Sequence, residues 1–223
     1  MHQQISKKIF FYLFLFILLV TINNTNFLKL NFLQINNLNI SGLSSFEEEQ
    51  FKKDFYFLKK KNLLFLNKIE ISDKILENKV VEDLSIFKNY PSELKINIKK
   101  TNFLAITQKN NQSYYIGSNG KLILAKDSYE NLPFIFGDVH PENFLKLKAH
   151  IDNSKFNFDQ VKNLYFFKSK RWDIETKNGL IIKLPLSQIK KSLNNFSEII
   201  VLDKFKDKKM IDLRQKDQII LNE

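Results

Sequence analysis

Residues 81–106 read VEDLSIFKNYPSELKINIKKTNFLAI, and two runs within them place apolar residues at alternate positions: Leu84 and Ile86, then Leu94, Ile96 and Ile98. A period of two is the mark of a strand with one buried face. Asn89-Tyr90-Pro91-Ser92 supplies the turn chemistry between them, so the two strands are expected to be neighbours.

Toward the N-terminus the period changes. In 44–61, SSFEEEQFKKDFYFLKKK, Phe51, Phe55 and Leu58 recur at the spacing of one helix face. Ser44 and Glu47 form a capping box, and Lys59, Lys60 and Lys61 fall at the helix C-terminus, where the dipole favours cations. A second, shorter helix carrying Ile75, Leu76 and Val80 is expected to be capped by Ser72 or Asp73. Before both lies 30–40, LNFLQINNLNI, a strand with Phe32, Ile35, Leu38 and Ile40 as inward positions, closed by Gly42. The order strand, helix, helix, strand, strand predicts a three-stranded sheet with two helices on one face, an α+β domain.

Further out, 9–22, IFFYLFLFILLVTI, is apolar and uncharged, preceded by Lys7 and Lys8. At about 1.5 Å per residue such a run makes a helix of roughly 21 Å, which fits a signal-peptide core as well as an anchor. The following TINNTNFLKL has no A-x-A pattern for cleavage, so an uncleaved transmembrane helix over 9–26 is expected, with Phe27 and Leu28 in the far interface. The positive-inside rule then places a tail of residues 1–8 in the cytoplasm and the bulk outside.

After Thr101 strand signals dominate. Asn119-Gly120 within SYYIGSNGKLILA and Asn178-Gly179 within RWDIETKNGLIIKLP are hairpin signals. Pro133 and Gly137 bracket a short buried run, and Pro141 opens a helix carrying Phe144, Leu147 and Ile151. VKNLYFF, a short helix over 187–196, MIDLR and QIIL complete a mostly antiparallel sheet with flanking helices.

Composition narrows the function classes. The net charge of +11 is spread as Lys among Asn, Ile and Phe, which does not single out a nucleic-acid partner. With no cysteine, disulfides, thiolate metal sites and cysteine nucleophiles are excluded. His2, His140 and His150 lack metal-ligand spacing, and five glycines build no phosphate loop. No catalytic constellation, metal, cofactor or small-molecule substrate is therefore expected. The feature open to binding is the final strand, 218–221, which as an edge exposes unpaired N–H and C=O groups.

The strand ending Asn39-Ile40-Ser41-Gly42, the acidic helix, NLLFLN at 62–67 and YPSELKINIKKTNFLAI at 90–106 resemble a POTRA domain of the bacterial FtsQ/DivIB cell division family. Leu132-Pro133 with Gly137, Trp172-Asp173, Asn178-Gly179 with Lys183-Leu184-Pro185, and Ile211-Asp212-Leu213-Arg214 follow in the order of that family's second, β domain. Phe103 stands where the family usually has Pro, and Gln215 where some relatives have an aromatic residue. The resemblance implies a POTRA-like domain over 30–101 and a β domain over 102–223, in a single-pass protein of the bacterial inner membrane with its bulk periplasmic, at the septum. It further implies a non-enzymatic divisome scaffold whose terminal edge captures small bitopic coiled-coil subunits, FtsB/DivIC-like and FtsL-like. Carried over by position, the contact residues are Arg214, Gln215, Gln218, Ile219, Ile220 and Leu221. The residues by themselves also admit another POTRA-containing assembly or secretion factor, a basic nucleic-acid-binding protein, or a secreted enzyme freed by signal peptidase.

Overall fold

The computed structural model of the chain describes residues 7–22, 33–125, 131–200, 208–215 and 220–222. It divides into two compact units, one built from the chain up to residue 76 together with 83–99, the other from 77–82 together with residue 100 onward.

In the first unit, α1 (Lys7–Ile22) is a helix of 16 residues whose apolar side chains from Ile9 to Val20 are exposed. The expectation of a transmembrane helix over 9–26 is corrected here. Sixteen residues rise about 24 Å, short of the roughly 30 Å of a hydrocarbon core. Among the described residues no helix is long and apolar enough to cross a membrane, and 23–28 lie outside the described residues.

The expected order of elements follows: β1 (Asn37–Ser41), α2 (Ser45–Asp54), α3 (Lys68–Leu76), β2 (Val81–Asn89) and β3 (Glu93–Lys100). β3 is central, parallel to β1 and flanked on its other side by β2. The Glu47 carboxylate accepts the Ser44 backbone N–H at 3.0 Å and its hydroxyl at 2.7 Å, fixing the start of α2. Phe51, Phe55 and Leu58 are all buried, although the helix tightens to a 3-10 turn at Tyr56–Leu58 before reaching the last of them. Ile71 and Ile75 of α3 and Leu94, Ile96 and Ile98 of β3 are buried as well.

Two local expectations shift. α3 starts four residues before Ser72, because Asn67 accepts the backbone N–H of Ile69 with its side chain at 3.0 Å and so begins the helix itself. Ser72 and Asp73 fall inside it, and Val80 lies beyond it. The first strand covers only the end of the alternating run, with Ile35 and Ile40 buried and Leu38 half-buried; Phe32 lies outside the described residues.

Among the described residues the second unit is built on a nine-stranded sheet. Its strands are β4 (Phe103–Lys109), β5 (Gln112–Gly117), β6 (Leu122–Leu124), β7 (Phe134–Phe136), β8 (Val161–Phe166), β9 (Trp172–Thr176), β10 (Ile181–Lys183), β11 (Met210–Asp212) and β12 (Ile220–Asn222). They lie in the order β12-β11-β10-β9-β8-β7-β4-β5-β6. The sheet is mixed, since β7 is parallel to both β4 and β8, and β10 is parallel to β11. Parallel neighbours need a crossover, supplied by α4 (Pro141–Asp152) between β7 and β8 and by α5 (Ile189–Ile199) between β10 and β11. α5 begins two residues later and ends three later than the 187–196 expected, with Gln188 in the left-handed conformation at its N-cap.

Both helices cover one face. Ile135, Leu164, Ile174, Ile182 and Ile211 form a row across five strands, each at most 1% exposed, and Phe144, Leu147, Ile151, Leu193 and Phe196 belong to the same core. Trp172 is buried in it. Burying one such side chain contributes about 1.5–3 kcal/mol, so this row and its helix cover hold the far strands in place.

Candidate partner-binding edge and its charged row

β12 ends the nine-stranded sheet on one side. It pairs antiparallel with β11, Asp212 opposite Ile220, Ile211 opposite Leu221 and Met210 opposite Asn222. Among the described residues no strand borders its outer side. A strand paired on one side keeps half of its backbone donors and acceptors for another strand.

Of the residues assigned to this edge from sequence, Arg214 and Gln215 follow β11 after Leu213 and are exposed, and Ile220 is 47% exposed within β12. Leu221 sits in β12 opposite Ile211. Gln218 and Ile219 lie outside the described residues. The strand begins two residues later than expected and extends to Asn222.

Reading inward from Ile220, the residues in register are Asp212, Lys183, Asp173, Tyr165 and Phe136, one on each strand from β11 to β7. Residues in register point to the same side of a sheet, here the side opposite α4 and α5. Three of these six carry charge and sit on adjacent strands. Arg214 and Arg171 flank them by the same parity, each two residues from an aspartate.

The charges are arranged in pairs. Arg214 donates from Nε to both Asp212 oxygens, at 2.8 and 2.9 Å, and from its second nitrogen to Oδ2. The Arg214 backbone N–H adds a third donor at 3.0 Å. These bonds hold the Asp212 carboxyl below the usual range, and the same side-chain bonds raise Arg214 in return. Asp173 goes the other way. Burial pushes its carboxyl up, against the pull of Arg171, whose Nε lies 3.3 Å away, and of Lys183 and Arg214 beyond. One row along, Glu175 accepts from the Tyr165 hydroxyl at 2.6 Å and from the Asn163 amide at 3.0 Å, which holds it low and keeps the proton on Tyr165.

This chemistry suits recognition. The carboxylates of these rows are held by arginine, tyrosine or asparagine donors. Among the described residues no group of His, Cys, Asp and Glu could hold a metal ion. His140 is the N-cap residue of α4, with Pro141 opening the helix. What the edge presents is a line of backbone groups beside fixed positive and negative charges.

Arg171, Asp173, Lys183 and Asp212 were not picked out as a site from sequence. Their signal was there in Arg171-Trp172-Asp173 and Asp212-Leu213-Arg214, two opposite charges two apart where the chain enters or leaves a strand.

Comparison with known proteins follows the two units. The family model "POTRA domain, FtsQ-type" matches residues 33–100, and "Cell division protein FtsQ/DivIB, C-terminal" matches 105–214. Cell division protein FtsQ of Bradyrhizobium diazoefficiens is 26% identical over 171 residues, which cover 72% of this chain and 48% of that protein. FtsQ of Rickettsia bellii is 23% identical over 180 residues, 79% of this chain and 67% of the relative. The chain thus spans about half the length of the first of these relatives. Among solved structures, the major extracytoplasmic domain of the trans isomer of DivIB from Geobacillus stearothermophilus aligns with 48% of this chain and 97% of its own, at 12% identity and a TM-score of 0.35, a likeness too slight to bear on the fold. With an FtsQ-type POTRA match and an FtsQ/DivIB C-terminal match following one another along most of its length, the chain belongs to the FtsQ/DivIB family of cell division proteins.

Proposed function

We propose that this protein is a non-catalytic scaffold of the bacterial divisome that holds other division proteins by strand addition at β12. The observation that carries this reading is the position of β12 at the end of the sheet, bordered among the described residues by β11 alone. Family membership supplies the cellular process. The partner is an extended segment of an FtsB/DivIC-like or FtsL-like bitopic subunit. Backbone pairing provides affinity at the edge, and side chains flanking it select the partner. Arg214 and Asp212 fix the end of β11 beside that edge, and Gln215 stands exposed next to them. Residues 218 and 219 complete the proposed contact.

The protein is placed at the inner membrane of the septum, with α1 as its attachment and the bulk of the chain on the periplasmic side. Exposed apolar side chains all along α1, with Lys7 at its start and no acidic residue in its first turn, support attachment in that orientation. Domain limits of 30–101 and 102–223 remain the proposed division. Tethering partner and scaffold to one membrane raises their effective concentration, so a modest edge affinity suffices.

The test is a pulldown of residues 23–223 against the coiled-coil partner from the same organism, with and without 218–223. Loss of binding on truncation, with the circular dichroism spectrum retained, is the expected result. Full binding by the truncated form would move the interface off β12.

A further inference from the structure

The first unit carries a surface that the edge function leaves unused. Phe57 and Phe65 line one concavity with Lys61 and Lys74, and both aromatic rings are open to solvent, at 44% and 69% exposed. Leu64 and Ile69, beside them in the chain, are 50% and 71% exposed. So large an apolar exposure in one short segment marks an interaction site.

Its charges have one dominant sign. Lys61 and Lys74 lie over the Phe57 ring at 5.2 and 4.5 Å from its centre. Lys88 donates to the Leu64 carbonyl at 3.1 Å and Lys68 to the Ile86 carbonyl at 2.8 Å, which brings two more ammonium groups to the segment. Among the described residues none of these four lysines is within ion-pair range of a carboxylate. Glu70 is the one carboxylate lining the concavity. Burial first, and the neighbouring Lys68 second, hold Lys88 below its usual range.

We propose that this face docks on the surface of an anionic bilayer, lysines against acidic phospholipid head groups and Phe57, Phe65, Leu64 and Ile69 in the interface. Two observations select a bilayer over other occupants. Unpaired lysines interleaved with exposed aromatic and aliphatic side chains match the chemistry of a charged lipid interface. In addition, residues 23–32 alone separate α1 from the described part of the unit, and ten residues reach at most about 35 Å in any conformation. The proposal rests on the reading of α1 as the membrane attachment, which keeps this face within reach of lipid.

The chain has no cysteine, so Phe65→Cys gives a single site for an environment-sensitive fluorophore on the full-length protein. The labelled protein is mixed with vesicles of phosphatidylcholine alone or with added phosphatidylglycerol, and a label at Phe87→Cys, on the opposite side of β2, serves as reference. Expected is a blue shift at position 65 only with phosphatidylglycerol, lost at high salt and lowered at least tenfold in apparent affinity by Lys61→Glu with Lys74→Glu. An equal shift on neutral vesicles, no shift on anionic ones, or a shift indifferent to the charge reversals would overturn it. So would a concentration-dependent shift in lipid-free micelles, which would assign the face to a second copy. Flotation with phosphatidylcholine vesicles tests attachment by α1 separately, because zwitterionic lipid has no net charge to attract the lysines, while the label on anionic vesicles decides docking whether or not the chain floats.

Discussion

Asp212 and Arg214, two residues apart at the end of β11, hold each other through Nε bonds of 2.8 and 2.9 Å, with the carboxylate 6% exposed and the guanidinium 39% exposed. The folded-state pKa of Asp212 lies below the roughly 3.9 of an unfolded chain. Its stabilising contribution is therefore complete above that value and is lost as pH falls through the folded pKa. Arg214→Ala is expected to bring the Asp212 titration back up by NMR and to cost about 1–2 kcal/mol at neutral pH, a loss that shrinks toward pH 3.

Asp173, on the same side of the sheet, has the opposite sign. Its folded pKa is raised by burial, so its contribution is present below about pH 3.9 and is lost as pH rises through the raised value. Asp173→Asn removes that titration. The stability difference between wild type and variant, followed by urea denaturation, should move against the wild type as pH increases from about 4; a flat difference would refute the assignment.

Gly137, directly after β7, has a φ of +105°, and a Cβ there would stand 2.2 Å from the Phe166 carbonyl oxygen. Both the backbone conformation and the backbone of β8 refuse a side chain. Gly137→Ala should cost at least about 2–4 kcal/mol and reduce soluble yield, read by thermal melting.

Phe144 is fully buried in α4 against the sheet. Phe144→Ala leaves a ring-sized cavity there, and a loss of about 3–5 kcal/mol is expected by chemical denaturation.

Leu221→Pro tests the edge without a deletion, because Leu213 donates to Lys183 across the parallel pair, which turns the backbone of Asp212 toward Ile220 and leaves the Leu221 N–H on the open side of β12. Proline at that position removes only a donor unpaired among the described residues and is tolerated at a sheet edge, so the fold should persist by circular dichroism while affinity for the coiled-coil partner falls at least tenfold.

Where structure depends on neighbours in the chain, sequence was a sufficient guide. Phe51, Phe55 and Leu58 declared a buried helix face by spacing alone, and Asn119-Gly120 and Asn178-Gly179 turn between β5 and β6 and between β9 and β10. The start of α3 was misplaced because Asn67, inside what reads as an apolar link, has a better-placed side-chain acceptor than Ser72. At α1 the count of apolar residues was right, and the helix still covers too few residues for a span. For the edge, the strand itself was legible from Ile219, Ile220 and Leu221. The charged row was not, because the partners of Asp212 across the sheet are fixed by a parallel pairing with Lys183 that reaches past α5, and no local pattern encodes such a register.

The parity of the sheet has one more consequence. Ile220 shares its side with Asp212, Lys183 and Asp173, while Leu221 stands in line with Ile211, Ile182 and Ile174. Any strand laid against β12 inherits this alternation. Sliding it by one residue would turn every apolar side chain from the helix-covered side to the charged one and every charged side chain to the apolar one. Under the proposed strand addition, a three-residue strand would work as a reading frame, favouring an incoming segment in the phase that puts its polar residues on the side of the aspartates, lysine and arginines.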